Sequence, residues 1–154
     1  MLQTTVAAVI ERDGRFLLVE EQTVDGLRLN QPAGHLDPGE SLLQAVVRET
    51  LEETAWRVEP LALVGVYQTR FERPAHGLDV SYLRFTFACR LLDEEPGRRL
   101  DEGIERTVWM TAEALRDCPQ RHRSPLVQRS VDDFLAGRRF PLDLIHTDPA
   151  CLRS

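Results

Sequence analysis

The sequence predicts a single α/β domain built in layers, and three observations lead there. Apolar runs of strand length are interleaved with segments of helical periodicity. The chain has 154 residues, enough for one domain to bury its own core without staples. No internal repeat, low-complexity tract or linker-like stretch divides it, so residues 1–154 are expected to form one domain.

The elements follow in order. Residues 6–10 and 16–19 are apolar runs separated by a segment containing Asp13-Gly14, which marks a hairpin. Residues 22–39, with Asp25-Gly26 and Pro32-Ala33-Gly34, read as a long loop. Ser41-Leu42-Leu43-Gln44 is a capping box, and the helix it opens should run to about residue 53 or 54. Residues 61–69, 80–92 and 106–110 read as strands. In the second of these, Ser81, Leu83, Phe85, Phe87 and Cys89 alternate toward the core, and Tyr82, Arg84 and Thr86 fall on a polar face. Thr111 caps a short helix that ends by Pro119; Ser124-Pro125 opens a last helix that stops at Gly137.

Composition removes several classes of function. A net charge of -6 disfavours non-specific nucleic-acid binding, which needs a basic face. All 19 cations are arginine. The absence of lysine rules out a Walker-A phosphate loop and a Schiff-base nucleophile. Cys89, Cys118 and Cys151 are odd in number and widely spaced, which fits neither a disulfide framework nor a zinc site. No apolar run reaches membrane-spanning length and no leader pattern opens the chain, so the expected compartment is the cytoplasm.

The chemistry concentrates between Gly34 and Glu53. At about 100° per residue, Glu49 and Glu53 share one stripe of the helix and Glu52 lies about 60° to its side, with Arg48 near Glu52. Leu43, Val46, Val47 and Thr50 form a separate packing face. Carboxylates crowded this way repel, at roughly 0.2–0.5 kcal/mol per like-charged pair. One arginine offsets only part of that. A hard divalent cation among them makes the arrangement sensible; oxygen ligands suit Mg²⁺ and also permit Mn²⁺. An E-x-x-E-E pattern alone most often marks a solvated helix face, and it is the spacing to the preceding loop that sets this one apart.

That spacing, G-x5-E-x7-R-E-x2-E-E through Gly34, Glu40, Arg48, Glu49, Glu52 and Glu53, resembles the Nudix box. Here the box spans residues 34–56, with two departures: Thr50 where an aliphatic residue is usual, and Ala55 where glycine is usual. If the helix ends at Ala55 with positive φ, alanine bears a steric cost that glycine avoids. Gln31-Pro32-Ala33-Gly34-His35-Leu36, Arg123-Ser124-Pro125-Leu126-Val127 and Phe140-Pro141-Leu142 extend the likeness toward the bacterial phosphatase branch called NudJ.

The resemblance implies an α/β/α sandwich around a mixed β-sheet. It implies Glu49 and Glu53 as principal metal ligands, Glu52 as a further ligand or the base, and the Gly34 carbonyl completing the inner shell. Arg48 would hold the glutamates, and Glu40 would tie loop to helix. A further acid from a distant loop is common in the family; Glu102 and Glu105 are the candidates, with Glu105 preferred. Arg84 and Arg28 are the expected phosphate clamps and Arg123 a third, because a guanidinium grips two oxygens at once. The four histidines show no ligand spacing.

The implied activity is Mg²⁺-dependent hydrolysis of phosphoanhydride bonds in nucleoside tri- and diphosphates and related small diphosphates, such as a thiamine-pathway pyrimidine diphosphate, with release of orthophosphate. One alternative is a pyrophosphohydrolase of ADP-ribose or damaged nucleotides that releases a nucleoside monophosphate. Another is a nucleotide sensor without turnover, against which the complete set of glutamates argues. The expected partner is a small phosphorylated molecule, with no nucleic acid and no membrane, and the chain a monomer or small homo-oligomer.

Overall fold

The computed structural model describes residues 1–153. Along them run β1 (Leu2–Val9), β2 (Glu11–Arg12), β3 (Arg15–Thr23), β4 (Gly26–Asn30), β5 (Ala33–His35) and α1 (Leu42–Thr54). There follow β6 (Trp56–Arg73), β7 (Leu78–Glu94), β8 (Ile104–Thr111), α2 (Ala112–Arg116) and α3 (Leu126–Leu135). One sheet has the order β5-β1-β7-β6; β1 and β7 are parallel and the outer pairs antiparallel, so the sheet is mixed. In the second sheet β3 pairs with β8 on one edge and with β2 and β4 on the other.

Alternation along the strands builds two cores. Val6, Ala8, Ile10 and Leu17 pack with Ala45 and Val46 of α1 and with Phe87 and Cys89 of β7. Val9, Phe16 and Leu18 point the other way, onto Leu115 of α2 and Val127 and Val131 of α3. Helices therefore cover both faces, which is why β1 and β3 read as unbroken apolar runs. Each fully buried aliphatic or aromatic side chain contributes roughly 1.5–3 kcal/mol of transfer free energy. This is the layered α/β arrangement that the sequence predicts.

Local signals hold where their chemistry is complete. Asp13 and Gly14 both take positive φ (53° and 77°), as a type I′ hairpin requires. The Gln44 amide donates to Ser41 Oγ at 3.1 Å and the Ser41 amide to Gln44 Oε1 at 2.8 Å, closing the capping box. Thr111 caps α2 through the Ala114 amide. Ser124 Oγ accepts from the Leu126 amide at 3.2 Å, and α3 ends just before Gly137. At the other end of α1, Ala55 adopts the left-handed conformation with φ 66°.

Three expectations need correction. The predicted loop over residues 22–39 contains two strands, β4 and β5, because tertiary pairing with β3 and β1 recruits segments too short to announce themselves. The strands β6 and β7 are longer than predicted and form a twisted antiparallel arm reaching Arg73 and Leu78. The polar face of β7 is not left open: Arg84 and Thr86 are buried, at 5% and 0% exposure, Arg84 against Asn30 and Gln31. No helix among the described residues is long and apolar enough to cross a membrane.

Candidate active site

Helix α1 carries four functional side chains on its last two turns, and β5 passes directly beside them. Glu49 and Glu53 lie on the buried side, at 9% and 8% exposure, while Glu52 sits on the half-exposed flank. The Ala33 amide of β5 donates to Glu53 Oε1 at 2.9 Å. A Cβ added to Gly34 would overlap the Glu49 carboxylate, so glycine here leaves that side chain the room to sit beside the strand.

Arg48 is the organiser of the cluster. Its Nε and Nη2 donate to the two oxygens of Glu40 at 3.0 and 2.7 Å. Nη1 donates to Glu49 at 2.9 Å and to Glu52 at 3.2 Å, and Nη2 also reaches the His35 carbonyl at 3.0 Å. Glu40 in turn accepts the Asp37 amide at 2.9 Å. Loop, strand and helix are thus held by one guanidinium, and its fork geometry is what permits so many acceptors.

A fourth acid joins from a distant turn. Oxygens of Glu49, Glu52 and Asp101 all lie within 4.8 Å of one another. The Asp101 amide donates to the Glu52 carbonyl at 3.0 Å, which anchors that turn to the end of α1. Sequence reasoning passed over Asp101 in favour of Glu102 and Glu105. Glu105 instead, itself exposed on β8, accepts from Gln22 Nε2 at 3.0 Å, and it is not part of the grouped carboxylates. Nothing in linear spacing separates these three acids; only the turn's docking on α1 selects Asp101.

Electrostatics follow from this crowding. Burial pushes Glu53 up to about 9, against the Ala33 hydrogen bond and with help from Glu21, Glu49 and Asp101. Burial likewise pushes Glu49 up to about 7, with Arg48 opposing and Glu52 and Asp101 assisting. Glu40 goes the other way, held low by its Arg48 hydrogen bonds. Two buried carboxylates that resist ionisation, beside a third and a fourth, form a donor set suited to a hard dication, whose charge would reverse the penalty.

Next to this cluster opens a cleft of about 390 Å³, lined in part by Ala33, Gly34, Tyr82, Arg84, Arg123 and Pro125. Arg84 lies in its wall, its Nη2 donating to Gln31 Oε1 at 2.7 Å and Nη1 to Asn30 Oδ1 at 3.3 Å. Arg123 stacks on Phe71 with its guanidinium carbon 4.3 Å from the ring centre, and its Nε is 3.5 Å from Glu21. Arg28 is outside the cleft lining and donates to the Leu27 carbonyl at 2.8 Å. His35 lines the cleft, with its ring against Gln3.

The glycine-loop, arginine and glutamates therefore meet in space as their spacing requires, and the model of the NUDIX domain matches residues 1–131. The chain belongs to the Nudix hydrolase family. It is 38% identical over 142 residues to phosphatase NudJ of Escherichia coli K12, covering 92% of this chain and 88% of that one. The NudJ phosphatase of Shigella flexneri matches to the same extent. Among solved structures, a Nudix hydrolase from Nitrosomonas europaea superposes with a TM-score of 0.86 at 44% identity, covering 96% of this chain and 98% of that one. A UDP-X diphosphatase shares the fold at TM-score 0.69 and 22% identity, over 92% of this chain and 66% of that one. As a Nudix hydrolase the chain is an enzyme acting on acid anhydrides of phosphorus.

Proposed function

We propose that this Nudix hydrolase is a Mg²⁺-dependent phosphatase of nucleoside tri- and diphosphates and of related small diphosphates, such as a thiamine-pathway pyrimidine diphosphate. Water attacks the terminal phosphorus, the bond to the bridging oxygen breaks, and orthophosphate leaves. The observation that carries the reading is the convergence of Glu49, Glu52 and Asp101 within 4.8 Å, beside Glu53 and the Gly34 backbone at the edge of the cleft. Likeness to the NudJ phosphatases over 92% of the chain favours release of orthophosphate.

Glu49, Glu53 and Asp101, with the Gly34 carbonyl, would hold Mg²⁺, and Glu52 would complete the set or take the proton of the attacking water. Bound there, the ion supplies Lewis-acid polarisation of phosphate oxygens and a more acidic water. Arg48 keeps Glu49 and Glu52 in register through its hydrogen bonds to both. Arg123, half-buried over Phe71 with most of its donors uncommitted, is the better phosphate clamp. Arg84, whose Nη groups are engaged by Gln31 and Asn30, serves to position the cleft wall instead. The remaining face of the cleft takes the organic part of the substrate. We place the enzyme in the cytoplasm, working on small molecules and not on nucleic acid, in keeping with its net charge of -6.

A hydrolysis assay with Mg²⁺ that resolves orthophosphate from pyrophosphate and nucleoside monophosphate tests this directly. Orthophosphate and the next lower phosphate are expected. Monophosphate plus pyrophosphate as main products would replace the reading with internal cleavage.

A further inference from the structure

Three polar side chains in the cleft form a chain of fixed hydrogen bonds that phosphate chemistry does not account for. Arg84 is 5% exposed and donates to Asn30 Oδ1. That contact settles the carboxamide orientation, leaving Asn30 Nδ2 as the outward donor. It gives one hydrogen to Glu21 Oε1 at 3.1 Å. A primary amide has two such hydrogens, so one remains. Glu21, mostly buried, can accept several hydrogens, and its nearest cation is Arg123 at 3.5 Å. Burial raises the Glu21 pKa, with Asn30 and then Arg123 opposing, so its charge lacks full compensation within the protein. Glu21, Asn30 and Arg84 all line the cleft, as do Tyr82 and Pro125, which offer flat apolar surface.

A carboxylate repels phosphate oxygens, so with Arg123, 3.5 Å away, taking the phosphates, the free lone pairs of Glu21 are left to the organic part of the substrate. It accepts N–H hydrogens, and beside it Asn30 offers one donor. A planar ring with an exocyclic amino group next to a ring nitrogen meets both: the amino group donates to Glu21 and the ring nitrogen accepts from Asn30. An oxo group in the amino position would set its lone pairs against the carboxylate. We propose that Glu21, paired with an Asn30 locked by Arg84, is a specificity-determining residue that selects substrates bearing an amino-substituted nitrogen heterocycle. The assignment rests on the cleft being the substrate site of a phosphoanhydride hydrolase. Glu21 is not among the grouped carboxylates of Glu49, Glu52 and Asp101, but its charge acts on Glu53, so Mg²⁺ affinity is part of the test.

The test is calorimetric titration of the Mg²⁺-loaded full chain with non-hydrolysable β,γ-methylene triphosphates of adenosine and inosine, repeated with cytidine and uridine. The wild type should favour the amino member of each pair by roughly tenfold, the worth of one hydrogen bond to a charged group. In Glu21→Gln, isosteric and checked for folding by its thermal melt, that ratio should collapse toward one. A wild-type ratio near one overturns the assignment without recourse to any variant. So does a Glu21→Gln protein that loses Mg²⁺ affinity and weakens both members equally, since that is the behaviour of a metal ligand. Separate turnover assays with ATP keep the two claims apart: a preserved binding preference without phosphoanhydride cleavage would sink the hydrolase reading and leave Glu21 in place.

Discussion

Gly34 and Glu49 occupy the same small space: the Glu49 carboxylate fills the position where any other residue at 34 would carry its Cβ. Glycine at 34 thereby leaves room for the Glu49 carboxylate beside β5, at the centre proposed to hold the metal. Gly34→Ala should drive the Glu49 side chain off its Arg48 partner while the two cores, which do not include it, stay packed. A displacement of about 1 Å at such a centre costs on the order of 100-fold in turnover. The measurement is kcat against the melting temperature; a variant with near-normal kcat would show that the close approach is dispensable.

The metal-free protein should lose stability as pH rises. Glu53 titrates near 9 in the fold against an ordinary 4.5, so the native state binds this proton more tightly than the unfolded chain. Its contribution is fully present below about 4.5 and is lost progressively as pH climbs to about 9; Glu49, near 7, adds to the lower half of that window. Mg²⁺ should flatten the profile by stabilising the ionised forms. Glu53→Gln mimics the protonated side chain and should also flatten it, while abolishing Mg²⁺-dependent turnover. Chemical denaturation with chelator at pH 5, 7 and 9 decides; equal stability at all three would contradict the burial argument.

Asp101 and Glu105 separate two assignments of the distant acid. Asp101→Asn removes an oxygen charge from the group shared with Glu49 and Glu52, and the Mg²⁺ concentration giving half-maximal rate should rise at least about tenfold. Glu105→Gln loses only an exposed hydrogen bond to Gln22 and should leave that concentration close to the wild-type value. The opposite pattern would restore Glu105.

Ala55 sits at φ 66°, where a Cβ is disfavoured by roughly 1–2 kcal/mol and glycine is not. The greater chain entropy of unfolded glycine offsets about half of this. Ala55→Gly should therefore stabilise the protein by at most roughly 0.5–1 kcal/mol, read from a urea midpoint at unchanged slope, with kcat unaffected.

How much was legible in sequence divides along range. The Asp13-Gly14 turn and the Ser41–Gln44 capping box each complete their hydrogen bonds or dihedrals within a few residues, so local spacing announces them, while α3 opens one residue later than its Ser124 signal, with Pro125 as N-cap. The stripe of Glu49 and Glu53 is helical arithmetic. By contrast, β5 is three residues long and exists because β1 pairs with it. Alternation puts Arg84 on a polar face, yet it is buried against Gln31 and Asn30, which lie more than fifty positions away.

By itself, then, the sequence determined the family, the layered α/β class and the acidic helix, since all three rest on short-range periodicity and on fixed spacing within one loop and one helix. Only the tertiary structure decided that Asp101 and not Glu105 lies with the carboxylates of Glu49 and Glu52, and that Arg84 is buried with its Nη groups on Gln31 and Asn30. Both depend on which distant segment covers a given face, and that is set by packing free energy summed over the whole chain, which no local pattern records.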